Sequence, residues 1–157
     1  MIDFPTDRGN VIKVVETPEE LVPFKSFIDE GYTAICEHKI PDTYDVFLQK
    51  IISSVYAWKS CTGGLAILCS KNDKPLCYGA CLGYPSKVKT MLIYAVYSNR
   101  IQPRVVQDIM FFCEQRAKNF GCQELVAHTG RFSKHVYKWF EDKMGFSRHH
   151  ITFKKEI

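Results

Sequence analysis

No apolar run in this chain is long enough to span a bilayer, which takes about 20 residues. Its first residues, Met1-Ile-Asp-Phe-Pro-Thr-Asp-Arg8, have neither the basic start nor the apolar core of a signal peptide. Cytoplasmic residence is the expectation. No repeat, low-complexity tract or linker interrupts the 157 residues, so the chain reads as one domain, 1–157, large enough to bury a core. Gly-x-Ser-x-Gly, Gly-x-x-x-x-Gly-Lys-Ser/Thr and His-Glu-x-x-His are all missing, and the hydrolase, P-loop and zinc-protease classes go with them. The seven cysteines (36, 61, 69, 77, 81, 113 and 122) contain no Cys-x-x-Cys pair. Cys69, Cys77 and Cys81 lie in apolar strand-like runs and Cys113 on an apolar helix face, as small buried hydrophobes of a reducing compartment do. Cys36-Glu-His38 has ligand-like spacing without the second pair that a zinc site needs, and no metal is expected.

What is present is 46% hydrophobic and 13% aromatic, with an uneven charge. Residues 1–70 hold six Lys/Arg against ten Asp/Glu, whereas residues 71–157 hold fifteen against seven. The basic C-terminal half suits an anionic partner: a phosphate-bearing cofactor, a nucleic acid or an acidic protein surface. A solvated basic face with no dedicated ligand is the alternative. Arg131-Phe-Ser-Lys-His-Val-Tyr-Lys138 has the basic and aromatic content of a nucleic-acid surface, but its aromatics fit the helical stripe Val136, Tyr137, Phe140, Met144 better.

Periodicity orders the elements. A strand is expected over Asn10–Glu16, and then a helix opened by Thr17-Pro-Glu-Glu20 as N-cap, first-turn proline and capping-box glutamate, with Gly31 as its stop. A second helix opens at Pro41-Asp42, with Phe47, Leu48, Ile51, Ile52, Val55 and Trp58 on its apolar face. Leu65–Cys69 and Leu76–Leu82 form a hairpin across a Lys-Asn-Asp-Lys turn. A strand from Thr90 to Tyr97 leads through a polar loop into a helix carrying Val105, Val106, Ile109, Phe112, Cys113, Ala117 and Phe120, stopped by Gly121. Glu124–His128, a helix over about Ser133–Met144 closed by Gly145, and His149–Lys154 complete the series. The order β-α-α-β-β-β-α-β-α-β predicts an α/β (α+β) fold, a mixed central sheet of about six or seven strands with helices on both faces.

The unit from Thr90 to Phe146 resembles the cofactor-binding half of the GCN5-related N-acetyltransferases, the GNAT superfamily. The likeness lies in the strand, the loop and helix closing on Asn119-Phe-Gly-Cys122, and the ending Phe140-Glu-Asp-Lys-Met-Gly-Phe146. It implies acetyl-CoA as cofactor and transfer of its acyl group to a small primary amine. It also implies a cofactor lying against Tyr94 and Val96 of the strand and against Arg100, Gln102, Arg104 and Val105 of the loop. The family's Arg/Gln-x-x-Gly-x-Gly/Ala loop falls on Ile101-Gln-Pro-Arg-Val-Val106, and no frame there restores a glycine. A proline further removes a donor. Two outcomes stay open: a loop that has ceased to bind, or one in which Arg100 and Arg104 clamp the diphosphate with guanidinium groups.

The family's thiolate-protonating tyrosine falls on Glu141, with Tyr137 one turn earlier as substitute or as a packed aromatic. Between Asp73 and Asp108 there is neither Asp nor Glu, so the strands of that interval carry no carboxylate base. His128 is then the remaining titratable candidate near neutral pH, with a structural role as the alternative. The expectation from these departures is a GNAT-like fold with weak or absent catalysis, a pseudoenzyme acting through its surface on a protein partner or as an oligomer. GNAT-like domains of that kind occur among bacteriophage proteins, virion components included. The other expectation is an active acetyl-CoA-dependent N-acetyltransferase.

Overall fold

A parallel strand pair at one end of an otherwise antiparallel sheet gives this chain its architecture. The computed structural model describes residues 1–37, 42–84, 89–99, 102–127 and 134–147. In chain order the elements are β1 (Ile2–Pro5), β2 (Val11–Val14), a 3-10 segment (Pro18–Phe24), α1 (Lys25–Cys36), α2 (Tyr44–Ala57), β3 (Gly63–Cys69), β4 (Pro75–Tyr84), β5 (Thr90–Ser98), α3 (Pro103–Phe120), β6 (Glu124–Ala127) and α4 (Lys134–Met144). The strands form one six-stranded sheet in sequence order, antiparallel from β1 to β5 and parallel between β5 and β6. The parallel pair is the one whose connection runs through a long helix, α3, as a parallel crossover requires. The mixed sheet and the element order from α1 to α4 match the reading of the sequence.

Both faces of the sheet are covered. On one, Phe27, Phe47, Ile51 and Val55 of α1 and α2 pack on Leu65, Ile67 and Tyr78. On the other, Ile109, Met110 and Cys113 of α3 pack on Ala66, Leu68, Cys77 and Met91. Every residue of β3 is buried, which is why that strand reads as a continuous apolar run rather than an alternating one. Gly79 lets α3 approach: a Cβ there would stand 2.3 Å from Ile109 Cγ2. Arg116, 6% exposed, stacks its guanidinium 3.8 Å from the Trp58 ring centre and donates to Trp58 O and Gly63 O, tying α3 to the end of α2.

Several details differ from the expectations. An exposed edge strand, β1, precedes the first expected strand and pairs with it, and β2 itself is shorter than 10–16. The helix expected from Thr17 to Gly31 is split. Pro23 interrupts it, and its first part winds as a 3-10 segment. Thr17 makes no side-chain cap, and the Glu20 carboxylate accepts the Glu16 N–H (2.9 Å) and the Met1 ammonium instead. Gly31 does not stop α1 but lies inside it, because a Cβ there would stand 2.0 Å from Tyr78 Oη. The glycine answers to the neighbouring strand, not to its own helix. Gly121 and Gly145 do terminate helices, at φ +73° and +70°. The strand expected at His149–Lys154 lies outside the described residues.

Candidate active site

The parallel pairing of β5 with β6 runs from Thr90↔Glu124 to Ile93↔Ala127, and among the described residues it stops there while β5 continues to Ser98. On its other edge β5 changes register with β4 at the same point. Ala80 faces Ala95 and Cys81 faces Ile93, which leaves Tyr94 as an extra residue, a β-bulge. Its effect shows in the packing. Tyr94 and Ala95, adjacent in sequence, both turn to the α1–α2 face, whereas Ile93 and Val96 turn to the α3 face.

The Tyr94 side chain meets the start of α2. Its hydroxyl donates to Asp42 Oδ2 at 2.8 Å, and the same oxygen accepts from Lys50 Nζ at 2.7 Å. Lys50 Nζ also lies 4.6 Å from the Tyr94 ring centre, a cation–π contact. Phe47 packs on the ring at 6.0 Å between centroids, and Tyr32 of α1 packs on Phe47 while its hydroxyl donates to Asp42 O at 2.9 Å. Burial pushes the Tyr94 phenol well above the ordinary tyrosine value of 10.0, and the bond to Asp42 and the charge of that carboxylate push it the same way. The phenol is thus a donor throughout the neutral range. Asp42 and Lys50 keep 39% and 37% of their side-chain surface exposed, so water and solutes reach the pair.

Further along β5, Tyr97 packs on Phe27 and its hydroxyl lies 3.4 Å from Glu30 Oε2. Burial, then the charge of Glu30, raises that phenol too. The carboxylates of this site arrive from helices: Glu30 from α1 and Asp42 from the residue before the Thr43 cap of α2. A search for a base along the strands misses them. Pro41-Asp42 was legible only as a helix start, and no spacing announces that it meets residue 94 across the fold.

The second half of the site is the start of α3. Gln102 is an extended N-cap with no side-chain cap, Pro103 follows at the first position, and the Val105 N–H bonds Gln102 O at 3.0 Å. Val105 is buried, and Val106 packs against the same core on the α3 face. The exposed residues of this turn are Pro103 and Arg104. Arg8, from the β1–β2 turn and 45% exposed, adds a guanidinium: its Nη1 donates to Arg104 O at 3.0 Å and lies 3.6 Å from Asp108 Oδ1. Burial raises the Asp108 carboxyl above its usual range and Asp7 adds to this, while Arg8 opposes it. The Oδ2 of Asp108 is buried with no hydrogen-bond partner among the described residues. Arg8 thus brings a guanidinium to the N-terminus of α3, beside the exposed Arg104.

The expected site residues divide accordingly. Tyr94 lies at the bulge of β5 and Gln102, Arg104 and Val105 at the start of α3, whereas Val96 faces the α3 side of the core. Arg100 and His128 lie outside the described residues. So does the side chain of Tyr137, although its backbone is in α4. Glu141 is exposed on α4. Asp42, Lys50 and Arg8 were not singled out by the sequence. Among the described residues no group of His, Cys, Asp and Glu could hold a metal ion, and no helix is long and apolar enough to cross a membrane.

No family model matches the sequence, and no curated relative does. Solved structures do. A glucosamine-6-phosphate N-acetyltransferase from Arabidopsis thaliana superposes with a TM-score of 0.62 at 14% identity, over 94% of this chain and 97% of that one. An aminoglycoside N-acetyltransferase in complex with CoA gives a TM-score of 0.64 at 11% identity, over 96% and 98%. A putative acetyl transferase from Pyrococcus furiosus gives 0.61 at 16% identity, over 93% and 99%. The chain has the GNAT fold. At these identities the likeness is one of architecture.

Proposed function

We propose that this chain is an N-acyltransferase that moves an acyl group from a CoA thioester to a primary amine. The observation that carries the reading is the coincidence of two features at one place on β5: the bulge at Tyr94 and the carboxylate of Asp42 on the Tyr94 hydroxyl. An amine acceptor must be held as a cation, lose a proton and face an activated carbonyl. Asp42 supplies the negative charge and the proton acceptor. The rings of Tyr94, Phe47 and Tyr32 supply an apolar and cation-binding wall. The bulge interrupts the ladder, so a backbone amide of β5 can turn to a developing oxyanion rather than to a neighbouring strand. Bound CoA would supply the thioester carbonyl and a thiolate leaving group. Arg104 and Arg8 would hold its diphosphate.

The reading puts the acidic half of the chain on the side of the cationic acceptor and the basic half on that of the anionic donor. Structural neighbours support both ends by their own descriptions, one holding CoA and two acting on amino sugars or aminoglycosides. The second reading, a fold that has given up transfer and works as a subunit of an assembly such as a virion, has one observation in its favour: Pro103 and Val105 deny the helix start amides that a phosphate would use.

Steady-state transfer from acetyl-CoA to a panel of primary amines tests the proposal. Asp42→Asn should lower kcat/KM by about 10²–10⁴, the usual contribution of a positioned general base. Wild-type protein without transfer to any amine, or an Asp42→Asn variant as active as the wild type, would contradict it.

A further inference from the structure

Lys50 already occupies the place that an amine acceptor would need. Its Nζ lies 2.7 Å from Asp42 Oδ2 and 4.6 Å from the centre of the Tyr94 ring. A primary ammonium between a carboxylate and a tyrosine face is what a site for a cationic amine would hold. Tyr94 is also the bulge residue of β5. Lys50 reaches this point because Phe47 and Ile51, its neighbours on α2, are buried in the core and fix the helix against the sheet.

We propose that Lys50 is itself an acyl acceptor, a self-modification site; this rests on the N-acyltransferase reading above. In the step, the Lys50 ammonium gives up a proton through the Asp42 carboxylate to water. Nζ then forms a bond to the acyl carbon of the thioester. The carbon–sulfur bond breaks, Nζ sheds its second proton as the amide forms, and the departing thiolate takes that proton. The product is a neutral amide on Lys50, which no longer pairs with Asp42 or stacks as a cation on Tyr94.

The chain contains its own comparison. Lys25 Nζ is 2.6 Å from Asp29 Oδ2 and 5.6 Å from the Tyr44 ring centre, and Tyr44 bonds Asp29 at 2.7 Å. The groups are the same, but this cluster is built from α1 and α2 alone and does not involve β5. Exposure alone favours Lys25, at 63% against 37% for Lys50. A reaction directed by the bulge of β5 prefers Lys50.

The test incubates the full chain with acetyl-CoA and maps acetyl occupancy by peptide mass spectrometry, with acetyl-CoA binding followed in parallel by calorimetry. Lys50 should be acetylated about tenfold or more faster than Lys25, with a rate that saturates in acetyl-CoA and does not depend on protein concentration. Asp42→Asn should remove the preference and leave Lys25 unchanged. Binding of acetyl-CoA with Lys50 no faster than Lys25 would overturn the inference and spare the parent reading, whereas absence of binding would remove both. A donor-free experiment reads the slot itself: Lys50→Ala should bind ethylammonium, and the added Asp42→Asn should abolish that binding. A Lys50→Ala protein that ignores ethylammonium would show that the slot does not take an amine.

Discussion

Tyr94 and Asp108 are residues of the candidate site whose surroundings raise them above their ordinary ionisation. Tyr94 is held neutral by burial and by Asp42. A tyrosine whose folded value is raised stabilises the fold fully below its unfolded value and loses that contribution as pH climbs through the folded one. Tyr94→Phe should therefore cost about 0.5–1.5 kcal/mol near neutral pH, the usual contribution of one hydrogen bond. In thermal melts the gap should close above about pH 10. Asp108 is a carboxylate whose folded value is raised, so its protonation favours the folded chain, and the ionised form near neutral pH is penalised. Asp108→Asn should melt higher than the wild type near pH 7, and the difference should shrink towards the ordinary value of 3.8 as both side chains become neutral.

Among the elements, α3 is both the wall of one core and the base of the proposed cofactor site, so its distance from the sheet is the quantity to disturb. Gly79→Ala forces a Cβ to within 2.3 Å of Ile109 Cγ2, on a side chain that is itself fully buried. A destabilisation of about 1–3 kcal/mol is expected in chemical denaturation, as for other overpacked cores. Weakened CoA binding should accompany it. The long elements were legible because their signals are local: α3 from its apolar stripe and Gly121, β3 and β4 from apolar runs and a polar turn. The start of the first helix was misread because Pro23 and the Glu16–Glu20 contact override a good capping signal. Gly31 misled for a different reason. Its requirement comes from Tyr78, which is distant in sequence, and no local pattern records that contact.

At the scale of the whole molecule, the charge division becomes interpretable once the halves are placed. Asp29, Glu30 and Asp42 gather on the α1–α2 side, while Arg8 from the first hairpin crosses to join Arg104 on α3. Tyr94 and Arg104 were singled out in the sequence, but the cluster around Tyr94 was not, since Asp42 and Lys50 of the α2 region meet β5 only through the fold. An anion site built from exposed guanidiniums is also screened by salt, so CoA affinity should fall steadily as ionic strength rises beyond about 0.1 M. Calorimetric titration of the intact chain with acetyl-CoA, repeated with Arg104→Ala and Arg8→Ala, tests the account most directly. Saturable binding at micromolar to sub-millimolar concentration, weakened by each substitution, is the predicted result. No heat of binding at millimolar acetyl-CoA, or binding indifferent to both arginines, would contradict it.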